Sequence, residues 1–187
     1  MRSEDAVRSF VAVELEPALR DRLAELQARL QPRAGELRLV RPEGIHLTLR
    51  FLGPAAPTQL ATLRGRLATA AAACPPLQTR VAGVGTFPVR GAPRVLWLGI
   101  ELPEPLRELQ RSCERAARAA GFEAEARPFQ PHLTLGRWRG PAARPQLPEV
   151  DLGETRLETL VLFRSELQRD GAVYTPLARF ALGRAVD

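Results

Sequence analysis

Ile45-His46-Leu47-Thr48-Leu49 and Pro131-His132-Leu133-Thr134-Leu135 decide how this chain is read: they share the tetrad His-Leu-Thr-Leu and contain both histidines of the protein. The two copies lie almost half a chain length apart, and self-similarity at that distance points to a duplicated unit or duplicated chemistry. Successive side chains of a β-strand point to opposite faces, so in each tetrad His and Thr share one face and the two leucines the other. Each copy therefore reads as a strand whose leucines enter a core while an imidazole and a hydroxyl stand side by side on the far face.

Two such strands facing each other line a groove with two imidazoles and two hydroxyls. A phosphodiester suits that groove. It needs one group to deprotonate the attacking water, another to protonate the leaving oxygen, and donors for the non-bridging oxygens. Histidine, with an ordinary pKa of about 6.5, does either proton task near neutrality, and a threonine hydroxyl donates to phosphate oxygen. A single His in a strand is ordinarily only a polar residue on an exposed face; two identical tetrads holding every histidine argue for a shared task. With no acidic cluster or cysteine beside them, the pair does not complete a zinc or di-metal set, so the reading is metal-independent acid/base chemistry.

Around the tetrads lie 187 residues, 45% hydrophobic, with 27 basic residues against 21 acidic ones and a formal net charge of +6. That is one domain with enough apolar material for a core, which excludes a disordered tail, a peptide hormone and most multidomain architectures. Every basic residue is arginine, which reads partly as compositional background, yet the excess positive charge favours an anionic partner such as nucleic acid. The start, Met1-Arg2-Ser3-Glu4-Asp5, is acidic where a secretory signal is basic, and Arg8 and Glu14 break the apolar run that follows, so neither a signal nor a membrane span is expected. Cys74 and Cys113 have no C-x-x-C spacing and sit on apolar stripes, which makes them small buried hydrophobes in a reduced, cytoplasmic protein.

Periodicity supplies the remaining elements. Residues 7–15 read as a strand buried on both faces. A helix follows from Pro17 with Leu19, Leu23, Leu26 and Leu30 on one stripe, ending near Pro32 and Gly35. Strands at 36–40 and 45–52, split by Pro42-Glu43-Gly44, read as a hairpin. A second helix, N-capped by Thr58, carries Leu60, Leu63, Leu67, Ala70 and Cys74 and stops at Pro75-Pro76. Strands at 77–87 and 94–101 precede a third helix from about Pro103 to Ala120, with Leu106, Leu109, Cys113 and Ala116 buried and Gly121 as its C-terminal cap. Further strands are read at 132–138, 155–163 and 172–182. Single helices mixed with strand pairs argue for an α+β fold with antiparallel sheets.

The motif tails, His46-Leu-Thr-Leu-Arg-Phe-Leu-Gly53 and Arg127-Pro-Phe-Gln-Pro-His-Leu-Thr-Leu-Gly-Arg137, resemble the 2H phosphoesterase superfamily. Within it they are similar to the bacterial and archaeal RNA 2′,3′-cyclic phosphodiesterases, first named 2′-5′ RNA ligases. Gly85-Thr-Phe-Pro88, Arg94-Val-Leu-Trp-Leu-Gly99 and Leu162-Phe-Arg-Ser-Glu-Leu167 followed by Tyr174 extend the resemblance over nearly the whole chain. It implies a bilobal α+β fold: a single domain over residues 1–187 in two pseudo-symmetric lobes, each an antiparallel sheet with outer helices, with the motifs at 46–49 and 132–135 facing across a central cleft. It implies that a terminal 2′,3′-cyclic phosphate on RNA is opened to a 2′-phosphate without metal or cofactor. His132 would then accept the proton of the attacking water, His46 would donate one to the departing 3′ oxygen, and Thr48 and Thr134 would hold the phosphate. Pseudo-symmetry also permits the opposite assignment of the two histidines.

The resemblance also implies a basic residue five positions after the second His, which makes Arg137 the expected further phosphate contact. Strict alternation places it on the leucine face, so the strand must bulge or end near Gly136 for it to reach the cleft. Arg50 has the parity of Thr48 and is a candidate substrate contact, whereas Phe51 reads as core. Phe87 and Phe129 are candidates for stacking on the terminal base. The arginines of the third helix, interleaved with Glu104, Glu108 and Glu114, read as a self-paired solvated face. The partner is then RNA with a cyclic phosphate end, tRNA fragments and cyclic nucleotides included, bound by a monomer and away from any membrane. Reversible 2′-5′ ligation of tRNA halves and a non-catalytic RNA-end-binding module are the alternatives. The first lacks a nucleotide-activation motif in a chain without lysine; the second predicts steep salt dependence and no product.

Overall fold

The chain's computed structural model describes residues 6–33, 36–168 and 171–184; Met1–Asp5 and Gly35, on which two of the expectations above rest, lie outside them. In order come β1 (Val7–Val13), α1 (Pro17–Leu30), β2 (Leu37–Leu39), β3 (Leu47–Ala55), α2 (Pro57–Ala72), β4 (Leu77–Phe87), β5 (Val95–Ile100), α3 (Glu104–Ala119), β6 (His132–Trp138), β7 (Asp151–Leu157), β8 (Thr159–Gln168) and β9 (Gly171–Ala181). The pairings among these strands are antiparallel, which makes the fold α+β as expected.

The strand order β7-β4-β5-β6-β3-β1-β8-β9 comprises two four-stranded ladders, and their junction is where the motif strands meet, at the pair Leu47↔Leu133. The ladders repeat one arrangement, β1–α1–β3 in the first and β5–α3–β6 in the second, with the motif strand last. Leu47, Leu49, Leu133 and Leu135 enter the main core together with Leu19 and Leu23 of α1, Leu63 and Leu67 of α2 and Leu106 and Leu109 of α3. Each of these side chains contributes roughly 1.5–3 kcal/mol on burial. β1 and β8 are buried on both faces: Val11, Val13, Leu160 and Leu162 join the main core, while Phe10, Ala12, Val161 and Phe163 form a separate cluster on the other side. That second cluster lies on the face the helices do not cover.

Three local expectations fail for physical reasons. The segment 36–40 does not form a hairpin with 45–52; β2 pairs instead with β6 in the register Leu37↔Trp138, because the 3-10 turn Pro42–Gly44 sends the chain on rather than folding it back. The strand expected at 155–163 is two strands with Glu158 between them, β7 on β4 and β8 between β1 and β9. Six strand spacings of about 4.8 Å separate β7 from β8 along the ladder. One linking residue cannot span that, so the sheet curls until the two strands approach. Helix α2 starts with Ala56 as N-cap and Pro57 as its first residue, not at Thr58, and Gln59 Oε1 accepts the Ala56 N–H at 3.1 Å.

Cys74 and Cys113 are buried free thiols, and burial pushes Cys113 up to about 12. Among the described residues no helix is long and apolar enough to cross a membrane. On α3 Arg107, Arg111 and Arg115 pair with Glu104 and Glu108 as expected, whereas Glu114 turns to Arg50.

Candidate active site

The two motifs fold alike in one respect that alternation does not foresee. Opposite β1, Thr48 pairs with Ala12 and Arg50 with Val11, so Leu49 is an extra residue in β3. Opposite β5, Thr134 pairs with Trp97 and Gly136 with Leu96, so Leu135 is an extra residue in β6. A bulge thus follows each Thr by one residue. It keeps the next two side chains on the helix side and restores the following one to the open face.

The bulge sorts the flanking residues. Arg137, exposed and paired with Val95, comes back to the face of Thr134, and its charge is felt by His132. Gly136 tolerates the close approach of β2: a Cβ there would stand 2.9 Å from the Arg38 carbonyl and from Leu37 Cγ. In the first motif the same device reverses both expectations. Arg50 is turned to the helix side and is only 7% exposed, with Nε 2.5 Å from Glu114 Oε2, a further ion pair to Glu125 and hydrogen bonds to the carbonyls of Phe51 and Glu123. It ties β3 to α3 and to the loop that leads into β6, and it does not face the site. Phe51, expected in the core, is 49% exposed and pairs with Phe10 on the open face. Phe129 is partly buried, one side of it packed against the main core.

Both histidines are held in one way. His46 Nδ1 lies 2.9 Å from the Gly44 carbonyl and His132 Nδ1 lies 2.7 Å from the Gln130 carbonyl, in each case two residues back. A carbonyl only accepts, so Nδ1 carries the hydrogen and the neutral ring keeps its lone pair on Nε2. Neither Thr48 nor Thr134 has a hydroxyl partner among the described residues.

The walls differ. Phe10 stacks on His46 at 4.7 Å, Tyr174 meets it edge-on at 5.1 Å and Phe163 lies 5.9 Å away. That aromatic wall escaped the sequence reading, because Phe10 in a doubly buried strand looks like any core residue. His132 has Phe87 edge-on at 5.1 Å, and Phe87 in turn leans on Trp97 at 5.3 Å. Phe87 therefore stands in the site as a wall of the imidazole. Burial lowers His46 to about 4, with the Gly44 carbonyl opposing and the His132 charge adding to the shift. His132 is lowered as well, by burial first, with the Gln130 carbonyl opposing and Arg137 adding. His46 is thus within electrostatic reach of His132 on the other motif strand. Among the described residues there is no group of three or more His, Cys, Asp or Glu placed to hold a metal ion.

The sequence and the fold are similar to those of known proteins. The chain is 36% identical over 183 residues to the RNA 2′,3′-cyclic phosphodiesterase of Methanothermobacter thermautotrophicus, covering 94% of this chain and 99% of the relative. It is 38% identical over 188 residues to the protein of that name from Thermus thermophilus, covering 94% and 90%. The crystal structure of TT0787 from Thermus thermophilus superimposes with a TM-score of 0.85 at 34% identity, over 94% of this chain and 98% of that one. The structure of E. coli LigT complexed with 3′-AMP does so with a TM-score of 0.82 at 28% identity, over 96% and 99%. A family model for the 2'-5' RNA ligase superfamily matches residues 15–167, so the duplicated tetrad and the sheet that pairs its two copies place this chain in that superfamily, to which it belongs.

Proposed function

We propose that the protein is an RNA 2′,3′-cyclic phosphodiesterase that opens a terminal cyclic phosphate to a 2′-phosphate by two-histidine acid/base catalysis. The observation that carries this reading is the matched pair of imidazoles, each fixed through Nδ1 with Nε2 left free, beside two unengaged threonine hydroxyls and Arg137. Water attacks phosphorus while His132 Nε2 takes its proton. The bond from phosphorus to O3′ breaks and His46 Nε2–H protonates O3′. The non-bridging oxygens gain charge in the transition state, where the hydroxyls of Thr48 and Thr134 and the Arg137 guanidinium receive it. Exposed Phe51 offers a face for the terminal base. The two ladders act as pseudo-symmetric lobes of one domain, and because one chain supplies both motifs, a monomer is sufficient. Buried free thiols suit a reduced compartment such as the cytoplasm.

The test is incubation of an oligonucleotide bearing a 2′,3′-cyclic phosphate with the protein in EDTA. A 2′-phosphate product at undiminished rate is expected. A 3′-phosphate would exchange the leaving oxygen, and no product would overturn the reading.

The pH dependence follows from the same two rings. Turnover needs one imidazole protonated and the other neutral, and kcat/KM reports the free enzyme. Above the higher pKa no donor remains, and below the lower one no base remains. Because both are lowered from 6.5, one of them to about 4, a bell with both limbs below pH 6.5 is expected. The limbs belong to the pair, so the bell is the same whichever ring is the acid. An anionic substrate between the rings favours their charged forms, so the limbs of kcat lie at higher pH than those of kcat/KM. A kcat/KM profile flat through pH 6.5 and centred above 7 would contradict the burial of His46.

A further inference from the structure

Arg137 does not stand alone on the open face. β2 runs beside β6 with Arg38 opposite Arg137, and residues opposite each other in a ladder project from the same face. Leu37 and Leu39 turn into the main core, so Arg38 projects with Arg137 on the side of His132 and Thr134. Its guanidinium reaches toward the other ladder: Nη2 lies 3.9 Å from where a Cβ would stand on Gly171, the first residue of β9.

Among the described residues neither Arg38 nor Arg137 has an ion pair or a hydrogen-bonded partner. Arg80, Arg115 and Arg179, by contrast, are each bound to a carboxylate, and Arg144 to the Thr86 hydroxyl and two carbonyls. Like charges directly opposite each other on a sheet destabilise it. Among the described residues no carboxylate is paired with either arginine. Two adjacent guanidinium forks without protein acceptors form a site for two phosphate groups, since each fork matches one anion bidentately.

We propose that Arg38 is a specificity-determining contact that takes the phosphodiester preceding the terminal nucleotide, while Arg137 takes the reacting phosphate. Arg38 lies one strand spacing, about 5 Å, beyond Arg137 and points to the tip of the β8–β9 pair, so the bound strand leaves the site over β2 toward Gly171. The protein then selects an RNA end over a cyclic mononucleotide, which has no second phosphate. This inference rests on the cyclic phosphodiesterase reading above.

The experiment compares a short RNA ending in a 2′,3′-cyclic phosphate with adenosine 2′,3′-cyclic phosphate, in the wild type and in R38A, R38Q and R38K. In R38A and R38Q the ratio of kcat/KM on the oligonucleotide to that on the mononucleotide falls about ten- to a hundredfold, through KM. R38K, which keeps the charge but not the fork, recovers the salt slope and only part of the ratio. The slope of log KM against log salt for the oligonucleotide becomes shallower by about 0.7 in R38A, the share of one phosphate contact on a single strand. A ratio and slope equal to wild type in all three variants would overturn the inference, as would an equal loss on both substrates. Wild-type protein that turns over neither substrate would overturn the parent reading instead, and that control is read before any variant is compared.

Discussion

Replacing His132 by alanine is expected to lower kcat/KM on a cyclic-phosphate RNA about a hundred- to ten-thousandfold, and replacing His46 to do the same. The chain has no other histidine, so no neighbouring imidazole can take over either proton. The double variant should fall little further than either single one, because an acid and a base acting in one transition state are lost as a unit. The two variants differ in stability. His46 is enclosed by Phe10, Phe163 and Tyr174, so its removal leaves a gap in an aromatic cluster, whereas His132 has Phe87 as its aromatic neighbour. H46A should therefore melt below H132A. Initial rates together with thermal melts measure both effects. Full activity in both single variants would remove the histidines from the chemistry.

What the sequence discloses about this site is what depends on near neighbours. Leu47 and Leu49 against His46 and Thr48 is a period-two pattern read within one strand, and the stripe of Leu19, Leu23, Leu26 and Leu30 is read within one helix. What it hides depends on partners far along the chain. The side chain of Arg50 is decided by Leu49, which becomes an extra residue only when β3 meets β1. The place of Arg38 is decided by β6, a hundred residues on, and nothing around Leu37-Arg38-Leu39 announces that partner. Glu158 ends one strand and opens another without Gly or Pro, because the curl of the whole sheet requires the break there. The wall of His46 comes from β1, β8 and β9 together, each contributing one ring that in its own strand resembles ordinary core.

The bulges give the second large effect its direction. R137A is expected to lose about a hundred- to a thousandfold in kcat/KM, chiefly in kcat, because the guanidinium faces charge that grows only in the transition state. R137K should recover only part of this, since a point charge cannot match two phosphate oxygens at once. R137A should lose activity on oligonucleotide and cyclic mononucleotide alike, unlike a change at Arg38, because both substrates carry the reacting phosphate. The bulge itself can be tested beside it. A Cβ at Gly136 would meet the Arg38 carbonyl and Leu37 at 2.9 Å, so G136A must push β2 away from β6 or flatten the bulge. A flattened bulge returns position 137 to the leucine face, and the loss in G136A should then approach that in R137A while His46 and His132 remain in place. Normal activity in G136A would mean that Arg137 reaches the phosphate without the bulge, and loss of activity in G136A with full activity in R137A would mean that the bulge serves the threonine and not the arginine.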